Sequence, residues 1–278
     1  MDRIDTHLHL IHPERFAYDW TAGIPALANQ EFPLCGYHKA AEGLGITASI
    51  FMEVDVAEKD LFSEAAWFCE LAEDPANRFC GVVAACRPEN PDFEAQLERL
   101  AHPKLLGFRR VLHTQPDELS NGALFRENIR RIGKAGLSFD LCMLPRQLAH
   151  GASLIDACPD TTFILDHCGV PDIASGDLEF WREQVREISR RPNVACKISG
   201  IIAYAAGDIT AETLRPVVEH TLDCFGWDRV LWGSDWPVCN LTRDLGTWGR
   251  LLDKILHGCT DDERSRLYQQ NARVLYRL

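Results

Sequence analysis

The stretch Arg3-Ile4-Asp5-Thr6-His7-Leu8-His9-Leu10 alternates between two sets of side chains. A strand repeats every two residues, so Ile4, Thr6, Leu8 and Leu10 fall on one side and Asp5, His7 and His9 on the other. The two imidazoles then share a face, roughly 7 Å apart along the strand. Neutral imidazole suits a borderline metal ion or a polarised carbonyl. The same pair also suits a core in which both rings are simply hydrogen-bonded. What decides between these readings is what the rest of the chain brings to the same place.

Outward from this strand the pattern repeats. Residues 46–54, 79–86, 105–112, 137–144, 162–167, 194–199 and 229–235 read as seven more strands. Residues 46–54 are nearly all apolar, as expected where both faces of a sheet are covered. Helical patterns over 36–44, 60–73, 91–102, 121–135, 145–157, 178–190, 211–224 and 244–257 alternate with them, and 261–275 adds an extra C-terminal helix. Alternating strands and helices make a parallel sheet. Eight such units predict a single (β/α)8 TIM barrel over residues 1–278, with a long first βα loop over 11–36. An open doubly wound sheet is the rival, but no strand runs into a Gly-rich phosphate turn.

Composition narrows the function classes. The chain has 278 residues, 46% hydrophobic and 25% charged, with a formal charge of −12. The acidic residues are scattered and there is no Lys/Arg run, which argues against nucleic acid as a partner. No apolar run reaches ~18 residues, so no membrane span is expected. The 11 cysteines form no Cys-x-x-Cys pair and several lie in apolar runs. They read as small core hydrophobes in a reducing compartment, and the expected location is the cytoplasm. The expected partner is a small-molecule substrate, with a homo-oligomer left open.

The unusual polar residues sit near the C-terminal ends of the strands: His7, His9, Glu53, Arg109, Asp140, His167, Lys197 and Asp235. In a barrel of this type those ends meet at one mouth, where active sites lie. Each alone is explained by a cap or an ion pair. Eight on one rim are hard to explain as stability features, because each costs desolvation unless paired.

Several short motifs recur in order: Asp5-Thr6-His7-Leu8-His9, Gly107-Phe108-Arg109, Leu165-Asp166-His167-Cys168-Gly169-Val170-Pro171, Cys196-Lys197-Ile198-Ser199-Gly200, Trp232-Gly233-Ser234-Asp235-Trp236-Pro237 and Asn271-Ala272-Arg273-Val274-Leu275-Tyr276. In these the whole chain resembles the amidohydrolase superfamily, in particular the amidohydrolase-related branch that includes sugar-lactone hydrolases such as fuconolactonase and sulfomuconolactonase. The resemblance implies a (β/α)8 fold and hydrolase chemistry. It casts His7, His9 and Asp235 as a single metal site, and His167 and Asp235 as catalytic. Dinuclear members carry a Lys or Glu on strand four and a His on strand five. Arg109 and Asp140 stand there instead, which implies one divalent ion, zinc first, or a metal-independent site.

On this reading Asp235 deprotonates water attacking the carbonyl of a small sugar-acid or muconate-type lactone, and the histidines stabilise the oxyanion. Glu53, Arg109, Asp140, Lys197, Trp20 and Trp236 are the expected substrate contacts. Arg109 and Lys197 at the mouth would favour hydroxyl-rich or carboxylated lactones. Tyr18 and Trp20 would close the mouth from the long loop. The alternative activity is a metal-dependent decarboxylation of an aromatic or unsaturated acid.

Overall fold

A computed structural model describes residues 1–278. Eight parallel strands follow one another around a single sheet in sequence order. They are β1 (Arg3–Leu8), β2 (Ile46–Met52), β3 (Phe79–Ala85), β4 (Leu105–Val111), β5 (Ser138–Cys142), β6 (Thr162–Leu165), β7 (Val194–Ile198) and β8 (Val230–Trp232). The helices between them are α1 (Leu34–Ala40), α2 (Leu61–Leu71), α3 (Phe93–Arg99), α4 (Ala123–Lys134), α5 (Leu148–Ala157), α6 (Glu179–Ile188), α7 (Ala211–Phe225) and α8 (Leu245–Ile255). This is the expected (β/α)8 barrel. No helix is long and apolar enough to cross a membrane.

The barrel closes just beyond β8. Leu8 bridges Trp236, the His9 N–H donates to the Trp236 carbonyl at 2.8 Å, and the Asp235 N–H donates to the His7 carbonyl at 2.8 Å. The seam therefore fixes His7, His9 and Asp235 by backbone bonds before any side chain is considered. Asp5 reinforces it. Its Oδ1 accepts the Ser234 N–H at 2.8 Å and the His7 N–H at 3.1 Å, while Oδ2 accepts the Tyr37 hydroxyl at 2.7 Å.

Simple alternation along β1 does not hold. Pairing with β2 shifts register between Asp5 and Leu8. Ile4 consequently packs in the barrel interior, while Leu8 and Leu10 join the outer layer under the helices. Asp5 bonds Tyr37 on α1 rather than sharing a face with His7. A one-residue slip moves side chains to the other face, and a single sequence carries no mark of where it occurs.

Two strands are shorter than expected. β6 stops at Leu165, because His167 and Cys168 both take φ of +54° and Val170 takes +53°. β8 stops at Trp232, and Asp235 has φ of +56°. Left-handed backbone at non-glycine residues is costly and clusters at functional sites. The last expected helix is also broken, into α9 (Asp261–Ser265), a π-helical turn (Arg266–Gln270) and α10 (Asn271–Leu275). Ala272 and Tyr276 close the floor of the barrel against Ile4, Ile50, Met52, Val83, Ile164, Ala195 and Leu231.

Candidate active site

Above that floor the barrel axis is filled by charge. The Lys197 ammonium donates to Asp140 Oδ2 at 2.5 Å and lies 3.2 Å from Asp166 Oδ1. The Tyr276 hydroxyl donates to the same Asp140 oxygen at 3.1 Å. All three ionic groups are fully buried. Burial pushes the Asp140 carboxyl up to about 6, against the pull of Lys197. Burial also raises Asp166, but Lys197 and then His7 outweigh it, and its carboxyl falls well below the ordinary range.

One level higher, Arg109 is held by Glu53. Its Nε donates to Glu53 Oε1 at 2.5 Å and its Nη2 to the Glu53 carbonyl at 2.8 Å. Arg109 Nη1 lies 3.5 Å from Asp166 Oδ2 and 3.2 Å from His7 Nε2. Both oxygens of Asp166 thus face cations of the chain. A second candidate ligand group, His7, Asp166 and His167, is in this way already supplied with positive charge by Lys197 and Arg109.

The remaining group, His7, His9 and Asp235, has the chemistry of a cation site. His9 Nδ1 is 3.0 Å from the Met52 carbonyl, which only accepts, so it is the protonated nitrogen and Nε2 is bare. His7 Nδ1 is 3.3 Å from Asp166 Oδ1 and 3.5 Å from the Lys197 ammonium. The two Nε2 atoms face each other at 3.2 Å, with Asp235 Oδ1 at 3.4 Å from His9 and 3.7 Å from His7, and Arg109 Nη1 3.2 Å from the His7 nitrogen. His9 Nε2 and Asp235 Oδ1 are two acceptors 3.4 Å apart, which repel unless a proton or a cation lies between them. Burial lowers the His7 pKa well below its ordinary value, keeping it a neutral ligand.

Asp235 Oδ2 is buried and has no hydrogen-bond partner. His167 approaches from the turn after β6, its Nδ1 3.0 Å from the Ser199 hydroxyl and its ring centroid 4.5 Å from that of His7. Burial lowers its pKa, with Asp235 opposing. Gly200 makes this approach feasible. It has φ of +64°, and a Cβ there would lie 2.4 Å from His167 Nδ1 and 2.8 Å from Asp235 Oδ2.

These groups floor a cavity of about 300 Å³ whose lining includes His9, Arg109, His167, Asp235 and Trp20. Trp20 is anchored by its indole N–H to the Val54 carbonyl at 2.7 Å. Glu53, Asp140 and Lys197 do not reach the cavity lining; they lie beneath it, each occupied by a chain partner. Trp236 does not reach it either. Its ring packs 5.6 Å from Phe32 and 5.7 Å from Tyr37 in the outer layer. Ile24, Val54, Tyr204, Val238 and Leu241 do line it, and sequence reasoning did not single them out. Except for Val54, just past β2, they come from loops and short turns, where no periodicity marks an inward face.

His113 also lines the cavity, with Nδ1 3.1 Å from Cys142 Sγ. Burial, with Arg109 adding, lowers its pKa from 6.5 to about 4. Between those values the unfolded chain binds a proton that the folded chain does not, so stability falls as pH drops through that window. The difference in urea midpoint between neutral pH and pH ~5 should therefore be smaller in His113→Gln than in the parent. Equal differences would show that His113 is not part of the acid sensitivity.

Residues 4–278 match a family model described as amidohydrolase. An L-fucono-1,5-lactonase of Burkholderia multivorans is 29% identical over 290 residues, 99% of this chain and 96% of that protein. An L-fucono-1,5-lactonase of Burkholderia ambifaria is 31% identical over 203 residues, 71% of this chain and 70% of the other. A crystal structure of an amidohydrolase from Burkholderia multivorans with bound Zn covers 100% of both chains at 28% identity, with a TM-score of 0.91. The family model spans nearly the whole barrel, and the chain belongs to the amidohydrolase family.

Proposed function

We propose that this chain is a hydrolase that opens a small lactone by water attack at the ring carbonyl. The observation that carries the reading is the division of labour within Asp235. Oδ1 faces the two histidine nitrogens, while Oδ2 is unpartnered at a residue that lines the cavity. Oδ2 takes a proton from the attacking water. General-base help of this kind is typically worth roughly 10²–10⁴ in rate. Lactonase-named relatives at 29% and 31% identity support the same chemistry.

Other groups meet the charge that develops on the carbonyl oxygen. With Ser199 donating to His167 Nδ1, the His167 Nε2–H is free to donate to that oxygen. Arg109, already oriented by Glu53, sets a fixed positive field at the cavity wall. His7, His9 and Asp235 fit one divalent ion such as zinc, which when bound polarises the carbonyl and lowers the pKa of water to about 7. The cavity has no unpaired cationic side chain to hold a substrate carboxylate, which favours a neutral ester over an acid awaiting decarboxylation.

Ring opening releases a carboxylic acid, so a weakly buffered indicator assay over a lactone panel should show acidification that depends on Asp235. Absence of lactone opening, together with CO2 release from an aromatic acid, would replace this reading with a lyase. Metal content is a separate test. Because Lys197 and Arg109 already neutralise Asp166, elemental analysis is expected to find at most one tightly bound equivalent per chain. Two equivalents would show that the second ligand group is free to bind.

A further inference from the structure

The cavity wall next to β2 carries a carboxylate that the chemistry above does not use. Asp55 lies just past β2 and lines the cavity. Its backbone is left-handed, with φ of +46°, which Asp tolerates better than most residues but which still costs energy. The chain holds it there. The Asp55 N–H donates to Glu53 Oε2 at 2.6 Å, while the other Glu53 oxygen grips Arg109. The Arg87 guanidinium lies 3.6 Å from Asp55 Oδ1. Asp55 Oδ2 meets no donor of the chain. Burial, and then Glu53, raise this carboxyl above its ordinary value, with Arg87 opposing. A carboxylate so placed is partly stripped of water and short of donors, which is costly unless a ligand supplies them.

Other polar groups of the lining have bonding capacity to spare. Thr114 accepts from the Gln115 amide at 3.1 Å and keeps its own O–H. His113 meets Cys142 through Nδ1, which leaves Nε2. The Tyr204 hydroxyl bonds no group of the chain, and burial keeps it protonated, well above its ordinary range. All three residues line the same cavity, and Ile24, Val54, Val111, Val238 and Leu241 supply apolar surface beside them. Such a lining suits a ring whose carbons meet methyl groups and whose hydroxyls meet the polar atoms. Charge narrows the class further. Arg109 is the only Lys or Arg in the lining, and its guanidinium is taken by Glu53 and Asp166. A substrate carboxylate would meet Asp55 with no free cation to offset the repulsion.

We propose that Asp55 selects the substrate: its Oδ2 accepts from a hydroxyl of a neutral, polyhydroxylated lactone, and its charge turns away lactones that carry a carboxylate. This rests on the lactone-hydrolase reading and decides between the sugar-acid and muconate-type rings in favour of the first. A hydroxyl donating to a carboxylate makes a charge-assisted bond, stronger than a neutral one. A site built around such a bond rejects the analogue without the hydroxyl, because its own polar group is then left unpaired.

The test is kcat/KM of the purified enzyme on D-glucono-1,4-lactone and D-galactono-1,4-lactone, each beside the lactone in which C6 is a carboxylate. Muconolactone serves as the unsaturated acid and γ-butyrolactone as the ring without hydroxyls. The better neutral sugar lactone should exceed its carboxylated partner, muconolactone and γ-butyrolactone by about tenfold or more. In Asp55→Asn its ratio to γ-butyrolactone should fall by about tenfold, and its ratio to the carboxylated partner should fall as well. Asn keeps the side-chain shape, the tolerance of left-handed backbone and the N–H that bonds Glu53. Because each reading is a ratio within one protein, loss of folded enzyme cancels. A parent enzyme that opens the carboxylated lactones or γ-butyrolactone as well as the neutral sugar lactones overturns the inference while the hydrolase reading stands. Ratios unchanged in Asp55→Asn, even with all rates lowered, overturn it too, since a merely structural Asp55 would act on every ring alike. Failure to open any lactone overturns both.

Discussion

Asp235→Asn is expected to lower kcat by roughly 10²–10⁴-fold while leaving the barrel folded. The amide keeps the shape of the side chain. The backbone bond from the Asp235 N–H to the His7 carbonyl, which closes the barrel, is untouched. What is lost is a carboxylate whose Oδ2 has no other partner. The amide also removes one anionic ligand from the His7–His9 group, so metal content is measured beside turnover. Near-parental kcat in the folded variant would sink the assignment of the base. A collapsed Tm would instead show that Asp235 is chiefly a structural residue.

Lys197→Met should have the largest effect on stability. Lys197 is the shared counter-charge of Asp140, at 2.5 Å, and Asp166, at 3.2 Å, in a fully buried position. Removing one partner of a buried pair typically costs about 3–5 kcal/mol, because the other charge stays behind uncompensated. Asp140 has an escape, since its pKa is already about 6 and it protonates readily. Asp166 does not, because Arg109 and His7 still hold it ionised. Urea unfolding reads the loss, and adding Asp140→Leu to Lys197→Met should recover part of it. If Lys197→Met instead raises KM with stability unchanged, the lysine reaches substrate and the column described above is wrong.

Much of the barrel was legible because its strands are interior strands. A run such as Ile50-Phe51-Met52 has no polar face to show, and a lone Glu53, Arg109 or Lys197 at the end of such a run stands out. The convergence of His7, His9, His167 and Asp235 followed from the rule that strand ends meet at one mouth. Their neighbours did not follow. Whether Lys197 points up to substrate or down to Asp140 depends on the strand register, and β1 shows that register slips without a sequence mark. Asp166 was read as part of a motif and no more, although it lies against His7, Lys197 and Arg109 at the centre of the charged axis. The early ends of β6 and β8 were invisible for another reason. Val170 and Asp235 take left-handed backbone that their residue types do not advertise.

The seam between β1 and the segment after β8 has a consequence for the life of the chain. Ser234 bonds Asp5 across 229 positions of sequence and His7 across 227. Contacts so distant are entropically the most expensive to close and come late in folding. Synthesis proceeds from the N-terminus, so the first strand has β2 beside it early, but its other edge waits for nearly the whole chain. His7 and His9 are therefore the earliest of the candidate site residues to be made and among the last to be enclosed on both sides. A nascent or C-terminally truncated chain that lacks β8 carries both histidines and yet no catalytic floor, so turnover should appear only when the ring of strands is complete.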